Sequence, residues 1–155
     1  KIMTGSVVND GGDSFACAWG DYDGDGYLDL LVTNTGSPSV DSSRNFLYRN
    51  NRDGTFTRSN VGAIANDLGQ WQGCTWGDFD NDGNLDVVIT RPSEDVIQAV
   101  VYRNNGNGTF TAVPDAGGAA GPIGLAIADG AGTADSVVSA DYDVDRFLAL
   151  YVPHG

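Results

Sequence analysis

Four aspartates, Asp21, Asp23, Asp25 and Asp29, occupy positions 1, 3, 5 and 9 of the stretch Asp-Tyr-Asp-Gly-Asp-Gly-Tyr-Leu-Asp. Carboxylates this close repel one another unless a cation lies among them. The spacing suits calcium, which takes six to eight oxygens at about 2.3–2.6 Å in a tolerant geometry. Side chains at positions 1, 3, 5 and 9 would supply four ligands, and the backbone carbonyl of Tyr27 at position 7 another. Gly26 at position 6 fits the sharp turn of such a loop, because glycine reaches positive φ without a Cβ clash. An EF-hand would carry a bidentate glutamate at position 12, where this chain has Val32. Its flanks would also be helical, whereas here short apolar runs of strand type lead in from Ser14 and out from Leu28. The expectation is a calcium loop between two strands.

The loop recurs 57 residues later, where Trp76-Gly-Asp-Phe-Asp-Asn-Asp-Gly-Asn-Leu-Asp86 repeats Trp19 through Asp29. The second ligand set is then Asp78, Asp80, Asp82, the carbonyl of Asn84, and Asp86. Solvated Asp-Gly turns would not need the strict alternation of aspartates, so two bound Ca²⁺ are expected. A third loop at Asp141, Asp143 and Asp145 has Arg146 in place of the turn glycine and Ala149 in place of the last aspartate. Weak or no calcium is expected there.

These loops need strands to hold them. The pattern predicts strands at 14–20, 28–34, 44–50 and 55–59, then at 73–77, 85–91, 97–104 and 109–113. Asn51-Arg-Asp-Gly54 and the turn at Asn107-Gly108 are expected as tight hairpins, with Asp53-Gly54 in type I′ geometry. Residues 1–13 match 58–70 at the same offset, so 1–13 reads as the end of a preceding repeat, with 1–8 a leftover strand. Residues 14–60 and 61–114 read as two whole repeats and 115–155 as a degenerate partial third. Four antiparallel strands per 54–57 residues is the pattern of a propeller blade. The fold class expected is all-β: four-stranded antiparallel β-propeller blades, about two complete and a third partial, forming an incomplete propeller.

The repeated unit W-G-D-[YF]-D-x-D-G-x-L-D-[LV], followed by Y-R-N-N and G-T-F-T, resembles the FG-GAP/VCBS repeat family. That family includes the calcium-loop blades of integrin α-chain propellers and of many bacterial surface and secreted proteins. The resemblance implies propeller blades with the metal loop joining the first and second strands, and it carries the ligand roles onto the ten loop positions named above.

Composition narrows the function. The net charge of −13 argues against a nucleic-acid partner. No run of 18 apolar residues suggests a membrane span. Calcium at millimolar levels points to an exported, extracellular or cell-surface protein, and the start at Lys1 fits a processed or excerpted chain. No catalytic constellation is present; the single histidine, His154, stands next to last and is expected in solvent. Two function classes remain: a structural or adhesive module completed by other copies of itself or by further blades, or a lectin-like propeller for a glycan or other ligand. Trp19 and Trp76 are expected in the core and Trp71 exposed. Cys17 and Cys74 share a repeat position and are expected as small buried residues, a disulfide between them being the alternative. Asn107-Gly-Thr is a glycosylation sequon, or an ordinary hairpin asparagine.

Overall fold

The computed structural model describes residues 5–37, 43–92, 98–114, 137–140 and 149–151. The first four-stranded antiparallel sheet holds β1 (Ser14–Gly20), β2 (Asp29–Asn34), β3 (Phe46–Asn50) and β4 (Phe56–Ser59), in sequence order. The second holds β5 (Cys74–Gly77), β6 (Asp86–Arg91), β7 (Gln98–Asn104) and β8 (Phe110–Pro114), again in order. β9 (Val138–Ala140) pairs antiparallel with β10 (Ala149–Tyr151). The third acidic loop, His154 and the Gly/Ala-rich stretch 116–134 lie outside the described residues.

Side chains alternate across a strand, so each sheet has two faces. In β1, Ala16 and Ala18 point with Leu31 and Leu47 towards the second sheet. That sheet answers with Cys74, Trp76, Val87, Ile89, Val100 and Tyr102, and Tyr22 from the first loop completes the shared core. The small residues of β1 leave room for the Trp76 indole, which stacks on Tyr22 at 6.2 Å and 8°. Backbone bonds cross the junction from Trp71 N to the Asn34 carbonyl (3.0 Å). The Thr33 hydroxyl also donates to the Gln72 carbonyl (2.5 Å). The opposite face of the second sheet packs Val88, Ala99 and Val101 around Phe79. On that side the Ser139 hydroxyl donates to the Trp76 carbonyl, 2.9 Å away.

Two expectations about the backbone are corrected. Residues 6–9 form a one-turn helix, α1 (Ser6–Asn9), rather than a strand, and the matching segment forms α2 (Ala63–Asn66). Gly5 and Gly62, with φ of 105° and 81°, open the two turns. Asp10 and Asp67 then accept the hydroxyls of Tyr48 and Tyr102, tying each turn to its sheet. The hairpin at 51–55 is not type I′ at Asp53-Gly54. Its positive φ values fall on Arg52 and Gly54, because Asp53 Oδ1 accepts both the amide and the hydroxyl of Thr55.

The aromatic and cysteine expectations are corrected as well. Trp19 is 54% exposed and Trp71 only 2%. Trp71 meets Tyr102 edge-on inside the junction, whereas Trp19 lies on the face of the first sheet where Val7 of α1 packs with Leu30, Phe46 and Tyr48 and against which no other described sheet stacks. Cys17 is exposed and Cys74 buried, and both thiols are free. Trp76 packs at the margin of the shared core, as expected.

Candidate metal centres

Each acidic loop leaves its sheet at a glycine, Gly20 or Gly77, and returns at an aspartate that opens the next strand. Those returning aspartates are buried and hold the loop ends. Asp29 accepts the amides of Tyr22 (3.2 Å) and Asn50 (2.8 Å). Asp86 accepts those of Phe79 (3.1 Å) and Asn104 (2.8 Å) in the same way. Burial pushes the Asp29 carboxyl up to about 6, against the pull of the two amides, and raises Asp86 for the same reason.

The first aspartate of each loop organises the turn. Asp21 takes the amides of Asp25 and Gly26 at 2.9 and 2.8 Å, and Asp78 those of Asp82 and Gly83 at 3.0 Å. Asp25 and Asp82 accept the amides of Tyr27 and Asn84, the residues at position 7. Gly26 and Gly83 sit at φ of 87° and 89°, as the sharp turn requires. The two loops therefore share these backbone-to-carboxylate bonds.

In the first loop, ligand oxygens of Asp21, Asp23 and Asp25 lie within 4.8 Å of one another; in the second, those of Asp78, Asp80 and Asp86 do. Asp29 and Asp82 stand apart from these groups. Asp82 is drawn aside by Asn84 and Arg103. The donor set, all carboxylate, suits a hard cation. One further detail fits: Asp23 Oδ1 is buried and has no hydrogen-bond partner.

Sequence reasoning passed over the cations that face these loops. Arg49 binds Asp23 at 2.6 Å, Arg52 binds Asp25 at 2.8 Å, and Arg103 binds Asp80 at 2.5 Å. The Arg52 bond, together with the Tyr27 amide, holds the Asp25 carboxyl below the usual range. The signal was the repeated Tyr-Arg-Asn-Asn at 48–51 and 102–105, whose arginines reach the loop and whose first asparagines latch Asp29 and Asp86. Asn104 also donates its side-chain amide to the Tyr22 carbonyl of the neighbouring loop (2.8 Å), linking the two centres. Asn107 turns its oxygen onto Thr109 as a hairpin asparagine does.

No curated protein matches the chain. Residues 34–89 match the family model described as FG-GAP-like repeat. The matched span runs from the end of β2 through β3, β4, α2 and β5 into β6 and contains the whole second aspartate loop. That span is thus similar to an FG-GAP-like repeat, and each of the two four-stranded antiparallel sheets has an acidic loop between its first and second strands.

Proposed function

We propose that this chain is a calcium-binding, propeller-type repeat module of an exported protein, with a structural or adhesive rather than catalytic role. The observation that carries the reading is the pairing of two loops with the same backbone-to-carboxylate bonds, each bringing oxygens of three carboxylates within 4.8 Å of one another. When bound, the metal would supply charge neutralisation and a rigid link between loop ends. Asp21, Asp23 and Asp25 would hold one ion and Asp78, Asp80 and Asp86 the other, with Asp29, Asp82 and the carbonyls of Tyr27 and Asn84 completing the sets. No helix among the described residues is long and apolar enough to cross a membrane, a statement silent on β-barrels.

Calorimetric titration with CaCl₂ is expected to give a stoichiometry near two. Asp23→Ala and Asp80→Ala should each remove one site, whereas Asp143→Ala, in the loop lacking its glycine and last aspartate, should change little. A stoichiometry unaffected by Asp23→Ala would refute the assignment of the first loop.

The buried carboxyls give a pH signature. The folded pKa of Asp29, about 6, lies above its ordinary 3.8, so the folded state takes up the proton first. That contribution to stability is full below the ordinary value and is lost as pH rises through 6. Asp86 acts with the same sign. In chelator, the melting temperature should therefore rise as pH falls from 7 towards 5.5. With calcium present the trend should invert, because the ligands must be deprotonated to bind. Melts at the two pH values, with and without chelator, check this; a chelated chain less stable at pH 5.5 than at 7 contradicts it.

A glycan-binding role is the second reading. It is favoured by a cleft of about 540 Å³ where the two sheets meet, lined among others by Tyr22, Arg49, Thr57, Asn84 and Asn107. A glycan array separates the two.

A further inference from the structure

The two acidic loops differ in the cations that face them. One arginine is common to both: Arg49 pairs with Asp23 at 2.6 Å and Asp25 at 3.5 Å, as Arg103 pairs with Asp80 at 2.5 Å and Asp82 at 3.3 Å. The first loop has a second arginine. Arg52 donates to one Asp25 oxygen through Nε at 3.0 Å and Nη2 at 2.8 Å. It also stands over the Tyr27 ring, 5.5 Å from the centroid. In the second repeat Gly106 takes the place of Arg52. Each loop has four aspartates, so two guanidiniums leave the first less negative than the second, which has one.

Two further observations set Arg52 apart. The hairpins that carry it and Gly106 share one backbone. Asn51 N and Asn105 N donate to the carbonyls of Thr55 and Thr109 at 3.0 Å, and the Asn50 and Asn104 side-chain oxygens accept the amides of residues 52 and 106. That backbone puts residue 106 at φ 69°, which glycine adopts freely, and residue 52 at φ 66°, where a side chain is strained. The first repeat carries arginine there in spite of the strain. Access to the fifth loop position also differs. The Asp25 side chain, under both arginines, is 7% exposed, whereas that of Asp82 is 28%. Asp53, next to Arg52, turns its carboxylate away from the loop onto the amide and hydroxyl of Thr55.

We propose that Arg52 is a tethered competitor for calcium, one that weakens the first loop so that the second fills first. The inference rests on the metal reading of the loops and adds an order to it. Asp25 can serve as a ligand only when its oxygen is released from the Arg52 guanidinium. The released guanidinium remains tethered nearby, a positive charge beside a divalent ion. Charge count tunes the affinity of such oxygen-ligand sites. The broken pair is an exposed one and weak by itself. Added to the remaining repulsion through solvent, it should separate the two dissociation constants by about tenfold. Between those two calcium concentrations the second loop is loaded while the first is still closed by arginine.

Calorimetric titration of the whole chain with CaCl₂ tests this. The parent isotherm should need two dissociation constants about tenfold apart. Arg52→Asn, which tolerates positive φ and removes the charge, should bring them together by tightening the weaker one. Arg52→Lys, which keeps the charge, should preserve most of the gap, so the two variants separate charge from backbone strain. Gly106→Arg places the same competitor at the second loop, where a Cβ would meet Asn84 at 3.5 Å in ordinary contact, and should weaken that site. Asp80→Ala, which leaves the first loop alone, should show the weaker constant, and Asp23→Ala the tighter. If a single-site variant fails to fold, the two Arg52 variants still decide, because they leave every aspartate in place. Equal constants in the parent chain, or a weaker site unmoved by Arg52→Asn, overturn the proposal and leave both metal centres standing. A folded parent chain that takes up no calcium overturns the metal reading itself, and this proposal with it.

Discussion

Chelation is expected to lower the melting temperature of this chain by roughly 10 °C or more. Each loop gathers three carboxylates within 4.8 Å, and without a cation their repulsion is offset by backbone amides and by exposed arginines. Such surface ion pairs contribute about 0–1 kcal/mol each. A ligand that binds only the folded state stabilises it by RT ln(1 + [L]/Kd), about 2.7 kcal/mol per site at a hundredfold excess over Kd. For a chain of this size, 1 kcal/mol shifts the midpoint by about 2–4 °C. Two sites acting on one cooperative unit give the expected shift. The link between the centres, Asn104 on the Tyr22 carbonyl, is the reason to expect one transition rather than two. Differential scanning calorimetry in calcium and in EGTA measures it, and superimposable melts would remove the metal from the account.

The second large effect separates two tryptophans of identical repeat position. Trp76→Ala should destabilise the chain by about 3 kcal/mol, at the lower end for loss of a packed aromatic. The indole fills the space above Gly20, stacks on Tyr22 and donates to the Ala18 carbonyl, and alanine would lose all three contacts. Trp19→Ala should cost under about 1 kcal/mol, because its ring is mostly in water and touches only its own sheet through Phe56. Urea unfolding of the two variants gives the comparison. Equal losses would mean that the sheets do not stack through Trp76.

The aspartate loops were legible in the sequence because everything that builds them is local. Alternating aspartates, a glycine at the sixth position and strand-type flanks lie within a dozen residues, and the amide-to-carboxylate bonds span seven residues at most within the loop. Strand order was legible for the same reason, since each sheet pairs neighbours in sequence. The one-turn helices were not, because a four-residue turn after Gly5 or Gly62 has no periodicity to detect and is held by a tyrosine some forty residues away.

What the amino-acid sequence could not decide is which copy of a repeated residue is buried. Trp19 and Trp76 have the same neighbours along the chain, as do Cys17 and Cys74, and any local argument must assign each pair one fate. Burial depends on whether another sheet lies against that face, and only the stacking of the first sheet on the second settles it. Trp71 is the converse case: a residue in an irregular, Gly- and Gln-rich approach to β5 becomes core because the junction closes over it. The chemistry of each loop was written in its own residues; the contacts that bury Trp76 and leave Trp19 open arise between repeats, from the fit of an indole over a glycine on a different sheet.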